Sequence, residues 1–287
     1  MAAERECPAT LERLGGDVWV LASEFVHSKR GLILDSGGAV LVDTPVVMAE
    51  SEKMIAAAQQ ARRPVGRIVL THSHFDHSAG CQLLPHAERI AQRGAGGWML
   101  SAHAAAYLAQ EPPEHPDLKR LAITPPTLEI DGSAQMMLAE HRLRLIPTPG
   151  HSPDSMSVLV EPEGVLFAGD AVVTCFPPVI QDGDSLEAVQ SYRRILGIEF
   201  RWLVPGHGPV LDRPAAVRHI EASLSYLEIL RGRVAQLTTQ GAPLPQIEAE
   251  VAGLTAGLPT GLEMVPEWHR RATAKIWAEQ QASAGTP

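Results

Sequence analysis

Metal-binding side chains are concentrated in one short run of this chain. Four potential ligands fall within six residues: His72, His74, Asp76 and His77. Imidazole and carboxylate groups are the ligands that hold zinc and related divalent ions in proteins. A single strand or helix rarely gathers so many of them without an ion to hold. The run therefore predicts a metal-dependent enzyme.

Three further candidate ligands lie downstream, each after an apolar segment and beside a glycine: His151, Asp170 and His207. Glycine lets the backbone turn sharply and approach a buried ion closely. Together with the run, these residues make five histidines and two aspartates. One ion that keeps a position open for water or substrate takes about three or four protein ligands. The set is therefore too large for one such ion and suits two ions that share a bridging carboxylate.

The secondary-structure pattern places these residues at the ends of strands. Apolar runs bounded by turn residues predict strands, and apolar residues at helical spacing predict helices. Strands are predicted at 18–21, 31–34, 39–42, 67–70, 136–138, 143–146, 157–160, 165–168 and 202–204, and helices at 49–62, 186–196, 215–239 and onward to about residue 281. Residues 94–127 are predicted to form a helix and an irregular connection. Ligand sites lie at strand ends in open α/β sheets, so this order suits an α/β protein.

Composition indicates an ordinary folded protein and argues against some partners. The chain has 287 residues, of which 45% are hydrophobic and 20% charged. A formal net charge of −9 disfavours nucleic acid, because proteins that bind it normally present a basic surface. The opening segment MAAERECPATLERLGG lacks the apolar run of a secretory signal, and no stretch approaches the roughly 20 apolar residues of a membrane span. We therefore expect a cytoplasmic protein with a small-molecule substrate and no membrane partner.

The cysteines do not form a thiolate pattern. Cys7, Cys81 and Cys175 are odd in number and widely spaced, and no C-x-x-C pair is present. Neither a disulfide framework nor a thiolate zinc cluster is expected. Cys81 and Cys175 each follow a candidate ligand by a few residues, and both are predicted to be buried structural thiols.

The order of the ligands resembles that of one known family. The pattern H-x-H-x-D-H, followed by a distant His, an Asp and a final His, is similar to the pattern of the metallo-β-lactamase superfamily, and the match extends from Asp43 to His207. The resemblance implies an α/β (α+β) fold, a four-layer αββα sandwich with the metals in a cleft at one edge between two sheets. Residues 1–214 would form this domain, and residues 215–287 a C-terminal helical region packed on it.

The resemblance also implies a role for each ligand. The first metal would be held by His72, His74 and His151, the second by Asp76, His77 and His207, with Asp170 as the bridge. Asp43, at the end of its strand, would support the ligands from behind. The cofactors would be two divalent ions, zinc in the first place, although His and Asp ligands also accept iron or manganese.

The implied reaction is the hydrolysis of a small acyl substrate: an ester, a lactone or a thioester. A hydroxide that bridges two ions is a good nucleophile, because metal binding lowers the pKa of water from about 15.7 to about 7. The ions also polarise the carbonyl oxygen and stabilise the charge that develops on it. Asp76 would be catalytic as well as a ligand, orienting the hydroxide or carrying a proton to the leaving group.

Other members of the superfamily leave alternatives open. β-Lactamases are normally exported, and because no secretory signal is expected here, antibiotic hydrolysis is disfavoured. The acidic balance of this chain disfavours the tRNA-processing nucleases. Flavin-linked diiron members usually have Glu in place of His74, and the glutathione-recognition segment of glyoxalase II is not found. The alternatives are a β-lactamase-like amide hydrolase, a mononuclear iron oxygenase of the persulfide-dioxygenase type, and a binding or regulatory protein that has lost catalysis.

Substrate contacts are expected from loops around the cleft, since loops on a rigid scaffold commonly carry specificity. Three segments qualify: 26–30, 94–127 and 173–178. Lys29 and Arg30 could hold a carboxylate or phosphate of the substrate, although an ordinary solvated hairpin turn is the favoured explanation for them. Phe176 is the candidate in the third segment. The C-terminal helices could cap the cleft, form a homodimer interface or only pack on the sheet.

Overall fold

The computed structural model describes residues 10–109 and 117–284, and two β-sheets form its centre. Cys7 and His115 lie outside these residues, as do the first residues of the segment in which a signal was sought. None of the helices in the two ranges combines the length and the apolar character that crossing a bilayer would require.

The first sheet has seven strands in chain order. Its first four strands form an antiparallel meander, and the fourth to the seventh run parallel, with helices in the connections. The strands are β1 (Leu11–Gly15), β2 (Val18–Ala22), β3 (Lys29–Asp35), β4 (Gly38–Val42), β5 (Val65–Val69), β6 (Glu88–Gln92) and β7 (Leu128–Ile130). Because β4 and β5 are parallel neighbours, both end at the same edge of the sheet.

The second sheet has six strands in the order β13-β12-β11-β10-β9-β8. Its strands are β8 (Ala134–Met137), β9 (Arg142–Pro147), β10 (Met156–Glu161), β11 (Val165–Gly169), β12 (Trp202–Pro205) and β13 (Leu211–Asp212). Neighbours are antiparallel except β11 and β12, which are parallel and therefore also end side by side.

Helices cover the outer faces of both sheets. They are α1 (Met48–Gln60), α2 (Phe75–Ser78), α3 (Ala95–Met99), α4 (Ala102–Leu108), α5 (Ser185–Leu196), α6 (Arg213–Thr239), α7 (Leu244–Val251) and α8 (Val265–Ala284). The longest, α6, begins where Asp212 accepts a hydrogen bond from the Ala215 backbone N–H at 2.9 Å, a cap that satisfies an otherwise free donor. Pro214 in its first turn needs no such acceptor.

Three apolar cores separate four layers. Successive side chains of a strand point to opposite faces, so an apolar strand can contribute to two cores. In β3, Ile33 belongs to the core between the sheets, whereas Leu32 packs in the core that includes Met54 of α1. In β10, Val158 joins the central core and Leu159 the core formed with α5 to α8. The predicted four-layer αββα sandwich is confirmed, with the C-terminal helices packed on the second sheet.

Candidate metal centre

The seven predicted ligands meet at one edge of the sandwich. The chain leaves β5 at Val69 and reaches the histidine run at the start of α2, while the other ligands follow β9, β11 and β12 of the second sheet. All seven are buried: His72, His74, Asp76, His77, His151, Asp170 and His207. A hydrogen bond of 2.7 Å from the Met156 N–H to the Thr71 carbonyl ties the two sheets together here. Parallel strand pairs in both sheets thus bring distant parts of the sequence to one place.

The ligand atoms form two groups. Within each group they lie no more than 4.8 Å apart: His72 with His74 and His151, and Asp76 with His77 and His207. A third cluster within the same limit, His72 with His77 and Asp170, overlaps both groups. In the first group, His151 Nε2 and His74 Nδ1 are separated by 2.9 Å. In the second, His77 Nε2 and His207 Nε2 are separated by 3.4 Å. This is the same grouping that the family resemblance implies.

Asp170 lies between the two groups. Its Oδ2 is 3.5 Å from His151 Nε2 and 3.3 Å from His207 Nε2. Its Oδ1 is 3.2 Å from His77 Nε2. One carboxylate therefore faces ligand nitrogens of both groups, which is the position that a bridging ligand needs.

In three of the histidines, the ring nitrogen that faces away from the other ligands forms a hydrogen bond with an oxygen atom. Nδ1 donates in each case: from His77 to Asp43 at 2.8 Å, from His151 to the Val179 carbonyl at 2.9 Å and from His207 to the Val26 carbonyl at 2.7 Å. A neutral imidazole that donates through Nδ1 presents a lone pair at Nε2. His72 Nε2 is buried and has no hydrogen-bond partner among the described residues. Inward lone pairs with outward donors are the arrangement of metal-ligating histidines, so these residues fit divalent metal ions.

The charges of the site favour a bound cation. Burial lowers the pKa of His151 to about 4, which keeps its imidazole neutral. Burial raises the pKa of Asp170, but His207, His77 and His151 outweigh it and hold that pKa well below its usual range. Burial lowers the pKa of His207, yet Asp170 and Asp76 outweigh it and raise the value to about 10, so a metal ion that binds His207 Nε2 would have to displace a proton from it. Ionised carboxylates in a buried site need positive charge beside them, and metal ions supply it.

Asp43 supports the ligands from the end of β4. Its Oδ1 accepts the Thr71 N–H at 2.6 Å, and its Oδ2 accepts the Thr71 hydroxyl at 2.7 Å as well as His77 Nδ1. Thr71 precedes the first ligand, so one buried carboxylate holds both the start of the histidine run and the ring of a ligand. Asp43 itself has a positive φ of 60°, a strained conformation for a residue other than glycine.

Residues outside the sequence motif also contact the ligands. Asp182 Oδ2 lies 3.3 Å from His74 Nε2. Asp182 Oδ1 accepts a hydrogen bond from His103 Nε2 at 2.8 Å. The Trp98 ring lies 4.6 Å from the His74 ring, centroid to centroid. No spacing rule identifies these residues, and the histidines outside the motif, including His103, matched nothing in the sequence pattern. Trp98 and His103 belong to the segment 94–127, for which substrate contacts stay a prediction.

The three expected substrate contacts lie in different surroundings. Phe176 is half-buried, with its ring centroid 6.2 Å from that of His207 and 5.8 Å from that of Trp268 in α8. Lys29 is half-buried, and its ammonium donates to the His27 carbonyl at 3.1 Å. The C-terminal helices thus reach the rim of the site through Trp268.

Arg30 is placed differently from the expectation that it meets the substrate or solvent. Its side chain is fully buried, and its guanidinium donates to the backbone carbonyls of Lys29 and Asp76. The reason is that β3 begins at Lys29, so Arg30 lies within the sheet rather than in a solvated turn. Arg30 therefore holds the backbone of the ligand-bearing helix α2.

Both described cysteines are buried thiols, as predicted. Burial raises the pKa of Cys81 and of Cys175 to about 12. A thiol with such a pKa carries almost no thiolate at neutral pH, so neither side chain is suited to nucleophilic attack or metal binding.

Gly206 is required for the close approach of β12 to Asp170. A Cβ atom built on Gly206 would lie 1.7 Å from Asp170 Oδ1. We expect Gly206→Ala to displace this carboxylate and to weaken metal binding by about tenfold or more, the cost of disturbing a ligand's support. Metal titration with a chromophoric chelator measures the effect.

Gly232→Ala is the matched control for Gly206→Ala. Gly232 lies in α6 with open space around the added Cβ, and alanine there should stabilise the helix by up to about 1 kcal/mol. Its metal affinity should equal that of the parent protein. Equal affinities of the two variants would show that Gly206 does not constrain Asp170.

Comparisons with known proteins agree with this geometry. The sequence model of the metallo-beta-lactamase superfamily matches residues 24–207. Atrochrysone carboxyl ACP thioesterase of Aspergillus fumigatus is 30% identical over 207 residues, covering 71% of this chain and 58% of that protein. Beta-lactamase-like protein 2 homolog of Drosophila melanogaster is 26% identical over 207 residues, covering 72% and 63%. This chain therefore spans less than two thirds of the length of either relative.

The fold is also similar to that of solved structures. The metallo-beta-lactamase from Pontibacter korlensis superimposes with a TM-score of 0.62 at 19% sequence identity, covering 77% of this chain and 99% of that one. At this identity the likeness shows a shared fold.

Proposed function

This chain belongs to the metallo-β-lactamase superfamily, and we propose that it is a hydrolase of small acyl substrates that uses two divalent metal ions. The observation that carries the proposal is the position of Asp170, whose two oxygens face ligand nitrogens of both groups at 3.2–3.5 Å. A single-ion site would leave one group of buried, inward-facing ligands without a cation. We propose zinc for both positions, because three of the donors in the first group are imidazoles.

The bound ions would supply a water of lowered pKa and polarisation of the substrate's carbonyl oxygen. We assign Asp76 to orient the attacking water or to carry a proton to the leaving group. Burial raises the pKa of Asp76, but His77 and His207 outweigh it and keep the carboxylate ionised. Its Oδ2 lies 3.3 Å from His207 Nε2 and 3.4 Å from His77 Nε2, so the ligands on either side fix its direction.

The proposed bond is that of an ester, a lactone or a thioester. The thioesterase name of the Aspergillus fumigatus relative supports a thioester among these, since it is 30% identical to this chain. Amide hydrolysis has less support, because it rests on solved structures that share the fold, lactamases among them, at only 18–20% identity to this chain.

Metal analysis and a substrate panel test this function. The zinc-loaded protein is expected to hold about two ions per chain and to hydrolyse at least one member of a panel of acyl esters, lactones and thioesters. Dipicolinate should abolish that turnover, and added zinc should restore it. A β-lactam in the same panel tests the amide alternative.

Two results would contradict the proposal. One iron per chain, with oxygen consumed in the presence of a persulfide, would indicate a mononuclear oxygenase instead. Two ions per chain without chelator-sensitive turnover of any panel member would favour a binding or regulatory role for the fold.

A further inference from the structure

An apolar cavity of about 270 Å³ lies beside the histidine run, under α3 and α4. Its apolar lining includes Trp98, Met99, Leu108 and Ile123. Among the described residues that line it, none carries a charge, and the polar ones are serines. Such a lining recognises hydrocarbon and offers no partner to a carboxylate or phosphate.

The cavity shares walls with the metal centre. Ser73 and Phe75 line it, and they alternate with ligands in the run from His72 to His77. Trp98 lines it as well and packs its ring against that of His74 at 4.6 Å. A group bound in the cavity would therefore lie directly beside the first group of metal ligands.

The cavity also exposes apolar surface to solvent. Leu100 is 69% exposed and Ile123 is 40% exposed, and both belong to its lining. Large apolar side chains left open at the edge of a cavity favour an apolar ligand, whose binding would remove them from water. The cavity can accordingly be reached from outside.

We propose that this cavity receives the apolar acyl chain of the substrate, so that the enzyme prefers medium-length acyl groups over acetyl. The inference rests on the proposed hydrolase function and names its substrate class. An apolar cavity of about 150 Å³ binds benzene. On that scale, a cavity of about 270 Å³ takes an alkyl chain of roughly eight to ten carbons.

A chain-length series of acyl thioesters or p-nitrophenyl esters, from acetyl to dodecanoyl, tests the proposal. Each methylene that enters the cavity is expected to raise kcat/KM by roughly fourfold, and the gain should stop when the cavity is full. A flat series, or the highest kcat/KM with acetyl, would overturn the proposal while leaving the hydrolase function in place.

A substitution that fills the cavity tests whether the preference for longer acyl chains arises there. Ala104 of α4 lines the cavity, and Ala104→Phe should lower the ratio of octanoyl to acetyl kcat/KM by about tenfold or more, because about two methylenes or more lose their place. Ala102→Phe is the control, since Ala102 is an exposed residue of the same helix outside the lining. If Ala104→Phe does not fold, Ala105→Phe fills the same cavity from the adjacent position.

A binding measurement that needs no turnover tests the acyl-chain cavity separately from the proposed hydrolase function. Calorimetry with 1-octanol on the intact chain should detect binding that Ala104→Phe removes and Ala102→Phe retains, whether or not any panel substrate is hydrolysed. 1-Butanol should bind about 100-fold more weakly or worse, because it buries about four fewer methylenes. Octanol binding that is equal in both variants would place the alkyl site elsewhere and overturn the proposal.

Discussion

Replacing Asp170 by Ala is expected to remove metal from the centre and to lower turnover by about 100-fold or more. Loss of a residue that only supports a ligand costs about 10–100-fold, and Asp170 faces ligand nitrogens in both groups. Without its charge, the two ions would lose the protein anion that offsets their mutual repulsion. Metal content by elemental analysis and kcat/KM on the best panel substrate should fall together.

His86→Ala is the control for Asp170→Ala. His86 is exposed and matches no ligand position, so its removal should change neither metal content nor rate. An Asp170→Ala protein that keeps the metal content of the parent would show that Asp170 does not bridge the ions. A protein that loses one ion and keeps the other would show that Asp170 holds only one of them.

Much of the site could be predicted from sequence, because metal ligands are few in type and lie at the ends of apolar strands. The principal strands followed from apolar runs separated by glycine and proline, whereas the four-layer fold was implied by the resemblance to the metallo-β-lactamase superfamily. The strands that the pattern missed are β1, β6, β7 and β13, which are short or polar; β6 reads ERIAQ, β7 only LEI and β13 only LD. Their pairing depends on neighbours in space, which the local sequence does not contain.

The contacts behind the ligands could not be predicted for a similar reason. Asp182 reaches His74 across more than a hundred residues of sequence, and its segment shows only an ordinary Asp-Gly turn. Arg30 follows Lys29 in what resembles a charged turn, and only the register of β3 against β2 shows that it is buried. The cavity under α4 likewise arises from packing, since no motif marks Ala104 or Ile123.

Asp43→Asn is expected to lower both the free energy of unfolding and the affinity for metal. The carboxylate of Asp43 receives three hydrogen bonds, from the N–H and hydroxyl of Thr71 and from His77 Nδ1. An amide has only one oxygen, so its NH₂ group would face a donor in this buried position. Breaking such a buried pair costs about 3 kcal/mol, and loss of the support for a metal-bound histidine costs about 10–100-fold in metal affinity.

Asp35→Asn is the control that separates the loss of folding stability from the loss of metal affinity. Asp35 is also buried and accepts a hydrogen bond from His141 Nδ1 at 2.9 Å. It is the last residue of β3 and pairs with Gly38 at the start of β4, so it lies at the opposite end of these strands from the metal ligands. Thermal unfolding in the presence of chelator should show both variants destabilised. Added zinc should then raise the melting temperature of Asp35→Asn as much as that of the parent, because a ligand stabilises the folded state according to its affinity. The zinc-induced rise should be smaller for Asp43→Asn, and equal rises in the two variants would show that Asp43 supports the fold without supporting the metal site.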